Sequence, residues 1–121
     1  MKEIKRGEIY AVDFGTGCGS EQGGTRPSLI LQNDIGNRHS PTTIVAAITS
    51  RKTKAALPTH VTIKTSGLKT ESTVLLEQIR TIDKARLGEY IGKLDSKTLA
   101  AVDRAIVVSL GIKYLEGLLN G

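Results

Sequence analysis

The sequence predicts a mainly β protein with some α structure: a small antiparallel barrel with one helix packed on it at the C-terminal end. Several short apolar runs follow one another with turn residues between them, which favours an antiparallel barrel over a parallel sheet. Helical spacing of apolar residues appears only near the end of the chain. The 121 residues are enough for a single domain, residues 1–121, with one modest core.

The first strands flank a glycine-rich loop. Residues 8–14 alternate well enough for a strand, and five glycines then fall within residues 15–24. Pro27 opens the next apolar run, residues 28–32, at a position where a sheet tolerates proline. Residues 33–37, rich in Asn, Asp and Gly, have the composition of a turn.

Three more strands are predicted in the middle of the chain. Residues 42–49 are rich in β-branched side chains and indicate a buried strand. Residues 59–64 alternate cleanly, and residues 73–79 form another apolar run. We expect this last strand to bend near residues 77–81.

The chain ends in a predicted helix. Asp95 is the expected N-cap, with Leu94 and Leu99 placed as a hydrophobic staple. One apolar stripe is expected to face the barrel, formed by Leu99, Val102, Ile106 and Leu110. Gly111 ends or weakens the helix, and residues 111–121 either extend the apolar face or form a frayed tail.

Charge and cysteine content limit the classes of function. The formal charge of +5 and the pI of about 9.5 favour a polyanionic partner, although a generally basic protein without such a partner has the same composition. The single Cys18 excludes an internal disulfide and a cysteine-rich zinc site and suits a reducing compartment. Without a signal peptide or a membrane-length apolar run, the protein is expected in the cytoplasm, with no membrane association.

Metal and cofactor chemistry is not indicated. His39 reads as loop surface and His60 as a structural residue at a strand start. Together with Cys18 they do not have the spacing of a metal site, and neither histidine is placed to activate that thiol. The glycine-rich loop lacks the Gly-Lys-Ser/Thr of a phosphate-binding loop, so it is either a connector or a carrier for its polar centre, Ser20, Glu21 and Gln22.

Two residues have the chemistry of a phosphate site. Arg26, fixed before a proline, has a guanidinium that can hold a phosphate through paired hydrogen bonds; an ordinary surface arginine is the alternative. Thr49 ends an apolar strand, where a hydroxyl is usually structural, and gains interest only if it faces Arg26. The basic run at residues 51–54 is a solvated loop or follows a phosphate backbone.

A second group could read RNA bases. Glu77, Gln78 and Arg80 supply a carboxylate, an amide and a guanidinium, which can hydrogen-bond to the edges of unstacked bases. Neighbours on a strand point to opposite faces, so Glu77 and Gln78 need a bulge or bend to serve one site. The alternative is a solvated rim. Aromatic content of only 3% argues against an oligonucleotide-binding fold that stacks bases on aromatic rings.

Taken in order, these segments resemble the MazF/PemK toxin endoribonucleases, from about Lys5 to Leu110. The similar blocks are residues 5–10 (KRGEIY), 19–27 (GSEQGGTRP), 31–34 (LQND), Thr49 and residues 76–83 (LEQIRTID). The last block, with the step at residues 57–60 (LPTH), points to the branch found in Gram-positive bacteria. The tail after Gly111 lies outside the resemblance.

The resemblance implies an SH3-like barrel of the CcdB/PemK type that forms a homodimer, needs no metal or cofactor, and pairs with a MazE-like antitoxin. The implied activity is cleavage of single-stranded mRNA at a short U-A-C-containing site through attack of the 2′-hydroxyl, which inhibits translation. Arg26 and Thr49 match the family's catalytic positions, and Glu21 is the carboxylate to test as base. The expected RNA contacts are Ser20, Gln22, Glu77, Gln78 and Arg80.

Two other functions remain open on the sequence alone. A toxin of the same fold can act by binding a protein, as the gyrase-poisoning toxins do. A passive RNA-binding barrel would have the same charge and similar surface residues. RNA cleavage in EDTA separates both from the nuclease.

Overall fold

The computed structural model describes residues 3–16, 23–51, 57–65 and 67–113. The elements in chain order are β1 (Glu8–Asp13), β2 (Thr25–Ile30), α1 (Asp34–His39), β3 (Thr42–Thr49), β4 (His60–Ile63), β5 (Ser72–Asp83), a 3₁₀ turn (Lys84–Arg86), β6 (Leu87–Lys93) and α2 (Ser96–Leu110). The predicted mainly β fold with a C-terminal helix is confirmed.

The six strands form one antiparallel sheet. Its order is β4-β5-β3-β2-β1-β6, so β4 and β6 are the outer strands. The two edges approach each other: a Cβ on Gly67, just after β4, would overlap the carbonyl oxygen of Ile91 on β6. A Cβ on Gly92 would lie 3.1 Å from the Thr65 hydroxyl oxygen. The sheet is therefore curled into a barrel whose edges are brought together by glycines.

Apolar residues are buried on both faces of this sheet, because neighbouring residues in a strand point to opposite faces. Ile9 and Leu29 belong to one cluster with Val102 and Ala105 of α2. Their neighbours Tyr10 and Ile30 belong to a second cluster with Val45. Helix α2 thus covers one face of the sheet, and the side chains of Tyr10, Ile30 and Val45 pack together on the other face.

The ends of α2 agree with the sequence. The Asp95 carboxylate accepts a hydrogen bond from the Thr98 amide at 2.7 Å, which caps the helix, and Leu94 and Leu99 pack against the main core. Gly111 ends the helix in the left-handed conformation, with φ of 66°. The prediction for Leu110 is wrong, because this residue is 61% exposed. The fully buried residues of the helix are Val102, Ala105 and Val107, and the predicted Leu99 and Ile106 are partly buried and pack against the main core.

Two other predictions need correction, and one strand was missed. Residues 33–37 are not a simple turn, because Asn33 accepts a hydrogen bond from the Gly36 amide and caps α1. The second strand begins at Thr25 rather than at Pro27, and proline is tolerated since pairing with β3 starts only at Ser28. Strand β6 was not predicted. Within the described residues, no helix has the length and apolar character needed to cross a membrane.

Candidate active site

Arg26 and Thr49 belong to neighbouring antiparallel strands. Ser28 of β2 pairs with Ala47 of β3, and continuing this register by two residues places Arg26 opposite Thr49. Directly opposed residues of an antiparallel pair point to the same face. Both residues accordingly line one open pocket of about 270 Å³. The structure therefore brings together the two side chains whose proximity the sequence could not decide.

The pocket has the composition of an anion site. Its lining includes three cationic side chains, Arg26, Arg51 and Lys69. Four hydroxyl groups also line it, from Thr49, Ser50, Thr70 and Ser72. The described residues that line it include no Asp or Glu. Because cations and hydroxyl donors surround a space without a carboxylate, a phosphate oxygen would be stabilised there.

Local hydrogen bonds orient both central side chains. Arg26 donates from Nε to the Gly23 carbonyl at 3.1 Å, a bond that does not use the two terminal guanidinium nitrogens. The Thr49 side chain is buried, and its hydroxyl accepts a hydrogen bond from the Arg51 amide at 3.1 Å. Since a hydroxyl has one proton and two lone pairs, Thr49 can still donate to a ligand.

The glycine-rich loop starts and ends beside Arg26. Phe14 donates to the Gly24 carbonyl at 3.0 Å, and Gly24 donates to the Gly15 carbonyl at 2.7 Å. Gly15 and Gly24 both have positive φ, which favours glycine at these positions. Ser20, Glu21 and Gln22, at the centre of the loop, lie outside the described residues, as do Cys18 and residues 52–54 of the basic run.

A bulge in β5 exposes the predicted base-reading pair. Ala46 of β3 pairs with Ile79, but Ala47 pairs with Leu75, so three residues of β5 occupy the interval between those partners. Within that interval Leu76 is buried, whereas Glu77 and Gln78 are both exposed. The strand is irregular where a bulge or bend was predicted, and both polar side chains reach solvent.

Glu77 is held by two neighbours from the start of β4. Its Oε1 accepts a hydrogen bond from the Thr59 hydroxyl at 2.9 Å, and its Oε2 lies 3.0 Å from His60 Nε2. Burial raises the pKa of Glu77, but hydrogen bonds from His60, its own backbone and Thr59 outweigh this effect, so the pKa lies below its ordinary value. The carboxylate is ionised at neutral pH.

Arg80 lies over an aromatic ring. Its guanidinium carbon is 4.8 Å from the centre of the Phe14 ring, a cation–π contact that joins β5 to the start of the glycine-rich loop. Arg86 also donates to the Asp13 carbonyl at 3.1 Å. Two arginines therefore support the loop next to Arg26, and sequence reasoning gave neither this role.

The pocket contains residues that sequence reasoning missed. Lys69 and Thr70 line it from the segment that leads into β5, and Ser72 lines it from the first position of that strand; the sequence analysis gave none of the three a role. Arg51, part of the predicted basic run, lines the pocket as well. His39 is exposed, as expected, but it ends α1 rather than lying in a loop. The described part of the chain has no group of three or more His, Cys, Asp or Glu residues arranged to hold a metal.

Comparisons with known proteins identify the family. Residues 5–110 match the profile of the PemK-like, MazF-like toxin of type II toxin–antitoxin systems. The chain is 55% identical over 111 residues to endoribonuclease EndoA of Bacillus subtilis (90% of this chain, 96% of the relative). It is 52% identical over 115 residues to endoribonuclease MazF of Staphylococcus saprophyticus (93% and 96%). Both relatives come from Gram-positive bacteria, so the predicted branch is confirmed.

Solved structures agree with this result. MazF from Deinococcus radiodurans is similar with a TM-score of 0.78 at 27% identity, covering 92% of this chain and 99% of that one. A mycobacterial endoribonuclease in complex with its cognate antitoxin is similar with a TM-score of 0.74 at 29% identity, covering 89% and 95%. From the matched profile and the two relatives, the chain belongs to the PemK-like, MazF-like toxin family of type II toxin–antitoxin systems.

Proposed function

We propose that this chain, an endoribonuclease of a toxin–antitoxin system, cleaves single-stranded mRNA within a short sequence that contains U-A-C. Cleavage uses the 2′-hydroxyl of the RNA as nucleophile, needs no metal, and leaves a 2′,3′-cyclic phosphate and a free 5′-hydroxyl. The observation that carries the proposal is the pocket shared by Arg26 and Thr49, which is rich in cations and hydroxyls. Cutting mRNA inhibits translation, and this substrate places the protein in the cytoplasm.

Arg26 and Thr49 are the proposed catalytic residues. A bond forms between the 2′-oxygen and phosphorus, and the bond from phosphorus to the 5′-oxygen breaks. Negative charge grows on the non-bridging oxygens during this step, and donors already aimed at them lower the barrier. Arg26 contacts those oxygens through its terminal nitrogens, since its Nε is bonded to Gly23. Thr49 donates its hydroxyl proton to the same phosphate.

Two proton transfers complete the reaction. A base takes the proton of the 2′-hydroxyl, and an acid gives a proton to the leaving 5′-oxygen. An arginine side chain stays protonated and is a poor base, so Glu21 is our candidate for the first transfer. Hydrogen bonds join the two ends of the loop that contains Glu21, and the second end, Gly24, lies two residues before Arg26. This supports a position of Glu21 near the phosphate.

The RNA contacts are proposed on both sides of this pocket. Ser20 and Gln22 belong to the same loop as Glu21, and Glu77, Gln78 and Arg80 are exposed on β5. An ionised carboxylate accepts hydrogen bonds and an amide both donates and accepts, so Glu77 and Gln78 are the proposed base-reading pair. Arg80 is the cation beside the loop.

The proposed assembly is a homodimer with RNA lying across its interface. An antitoxin of the MazE type is the expected protein partner, and its acidic, initially disordered tail would occupy the same basic groove. Solved structures of similar proteins support this partner: one is a mycobacterial endoribonuclease in complex with its cognate antitoxin, and one is of MazE-MazF from Deinococcus radiodurans.

Incubation with a long single-stranded RNA in EDTA tests the function. We expect cuts at one short sequence with cyclic phosphate and 5′-hydroxyl ends, which end-specific ligation and sequencing identify. The same RNA with deoxyribose at the cut position should resist cleavage, because it lacks the nucleophile. Intact RNA at high protein concentration would overturn the proposal and favour a toxin that acts by protein binding or a passive RNA-binding barrel.

A further inference from the structure

The group formed by Thr59, His60 and Glu77, which we call the carboxylate clamp, lies on the same face of the sheet as the Arg26–Thr49 pocket. His60 pairs with Leu75, and Leu75 pairs with Ala47, two residues before Thr49 on β3. Directly paired residues share a face. His60 lies two strands away from β3, which is roughly 10 Å at ~4.8 Å per strand. The clamp is thus close enough to touch an RNA strand bound in the pocket.

Both oxygens of the Glu77 carboxylate are engaged. Thr59 donates to Oε1 at 2.9 Å, and His60 Nε2 lies 3.0 Å from Oε2. Because an ionised carboxylate can only accept, His60 must donate from Nε2. A carboxylate has about four lone-pair sites. The bonds from Thr59, His60 and the backbone of Glu77 itself use three of them, so one site is left for a ligand.

The backbone around Glu77 is fixed as well. The Leu76 amide donates to the Thr59 carbonyl at 2.9 Å, and the Leu76 carbonyl accepts from the Ser109 hydroxyl of α2 at 2.6 Å. The bulge is therefore held by β4 on one side and by α2 on the other. Glu77 remains 39% exposed at its side chain, so the oriented carboxylate faces solvent.

His60 has a feature that packing alone does not explain. Its side chain is only 8% exposed, and its buried Nδ1 has no hydrogen-bond partner within the part of the chain that the structure describes. An apolar residue would fill this space without leaving a polar atom unpaired, which is costly in a protein interior. Among the described residues, the polar partner of the ring is Glu77, which implies that this bond is the reason for a histidine here.

We propose that Thr59 and His60 are positioning residues that hold the Glu77 carboxylate in one orientation, so that it accepts a hydrogen bond from the exocyclic amino group of a single-stranded nucleobase. This inference rests on the proposed nuclease function. The ligand class is an amino-bearing base, adenine, cytosine or guanine. Uracil has no amino group, and its one ring donor on that edge, N3–H, lies between two carbonyl oxygens that the carboxylate would repel.

The test uses base analogues that lack only the amino group. We take an RNA that the wild-type protein cuts and replace one amino-bearing base at a time. Adenine is replaced by purine, cytosine by 2-pyrimidinone and guanine by hypoxanthine. At one position we expect kcat/KM of the wild type to fall about tenfold or more, the scale of a lost hydrogen bond to a charged group. At the same position the His60→Leu and Thr59→Val variants should discriminate much less between the natural base and the analogue that lacks the amino group.

Conservative variants separate positioning from folding. His60→Gln places an amide donor near the position of Nε2 and should restore discrimination, and Thr59→Ser keeps the hydroxyl and should behave like the wild type. Thr62→Val is the matched control, since Thr62 is exposed on the same face of β4 and outside the clamp. If His60→Leu does not fold, Thr59→Val still decides the question.

Each outcome has a distinct meaning. Loss of discrimination in both clamp variants, with rescue by His60→Gln, supports the proposal. Unchanged discrimination in variants that still cut RNA overturns the positioning role and leaves the nuclease function intact. A wild-type protein that cuts no RNA overturns the proposed function, and this inference with it.

Discussion

Arg26 on β2 and Thr49 on β3 line one pocket from opposite positions of neighbouring antiparallel strands. Their positions depend on the pairing of the two strands, since 22 residues separate them in the sequence. A guanidinium and a hydroxyl fixed in this way can act on one phosphate, which leads to the first two predictions.

Replacing Arg26 tests charge stabilisation in the pocket. We expect Arg26→Ala to lower kcat by at least ~100-fold, the scale of removing one transition-state donor. Arg26→Lys should recover only part of the rate, because an ammonium lacks the planar, paired donors of a guanidinium. Single-turnover cleavage of a short RNA in EDTA measures the rate, and circular dichroism checks the fold. A folded Arg26→Ala protein with wild-type kcat would remove this residue from the mechanism.

Replacing Thr49 tests whether its hydroxyl is needed for cleavage. Thr49→Val keeps the shape of the side chain and should lower kcat by about 100-fold, whereas Thr49→Ser keeps the donor and should lose much less. The hydroxyl also accepts from the Arg51 amide, so thermal unfolding must be measured for both variants. Equal values of kcat for the Thr49→Val and Thr49→Ser variants would leave Thr49 with a structural role only.

Replacing Lys69 tests whether the cationic residues that line the pocket bind RNA phosphates. Lys69→Ala should weaken RNA binding and reduce the slope of log affinity against log salt by about 0.7, the value for one phosphate contact on a single strand. Binding is measured with an RNA that carries deoxyribose at the cut position. Lys97→Ala is the control, because Lys97 belongs to α2, which packs on the opposite face of the sheet. Identical salt slopes in the two variants would contradict a phosphate contact at Lys69.

Much of this arrangement follows from local sequence patterns, and the rest depends on tertiary structure. The strands at residues 8–14 and 59–64 were predictable from their alternation. The strand at residues 42–49 was predictable because it is rich in β-branched side chains, and it is buried on both faces from Val45 to Thr49. Strand β6 was not, since most of its residues are exposed and its register with β1 shifts twice. Helix α1 has only 6 residues, too few for a helical period to appear.

The residues of the candidate site also fall into a group that the sequence indicated and a group that only the tertiary structure shows. Arg26, Thr49 and Glu77 were chosen from residue chemistry and family resemblance, but no local signal marks Lys69 or Thr70. These two residues reach the pocket only because the segment after β4 returns to the sheet beside β3. The roles of Ser20, Glu21 and Gln22 remain predictions, as does the single-domain assignment with its tail after Gly111.

Tyr10 gives a pH-dependent contribution to stability. Burial raises the pKa of Tyr10, and so does the nearby Glu8 carboxylate, which accepts a hydrogen bond from the Tyr10 hydroxyl at 3.2 Å. The pKa reaches about 12, above the ~10 of an unfolded tyrosine. The unfolded chain therefore loses this proton first as pH rises. The contribution is complete below about pH 10 and is lost between about pH 10 and 12.

Tyr10→Phe should remove this part of the pH dependence. Urea unfolding of the wild type and of the variant between pH 8 and 12 measures it, and the difference between their free energies of unfolding should shrink or change sign as pH rises above about 10. Glu8→Gln removes the neighbouring charge and should move the transition to lower pH. A difference that stays constant across this range would exclude the raised pKa.

The last prediction concerns the meeting of the two sheet edges. A methyl group on Gly67 would overlap the Ile91 carbonyl oxygen, so Gly67→Ala must push the segment after β4 away from β6. We expect a loss of about 1–3 kcal/mol in the free energy of unfolding, the usual cost of overpacking. Gly88→Ala is the matched control on β6, because its new Cβ would meet the Ala11 carbonyl oxygen at 3.4 Å, an ordinary contact.

Urea unfolding of both variants decides whether the barrel is closed in solution. Gly88→Ala should change stability by no more than about 0.5 kcal/mol, well below the effect at Gly67. The segment that Gly67 anchors also carries Lys69 and Thr70 to the pocket, so Gly67→Ala should in addition lower cleavage at temperatures where the protein remains folded. If Gly67→Ala is as stable as Gly88→Ala and keeps full activity, the two edges do not meet as the structure has them, and the pocket does not depend on their contact.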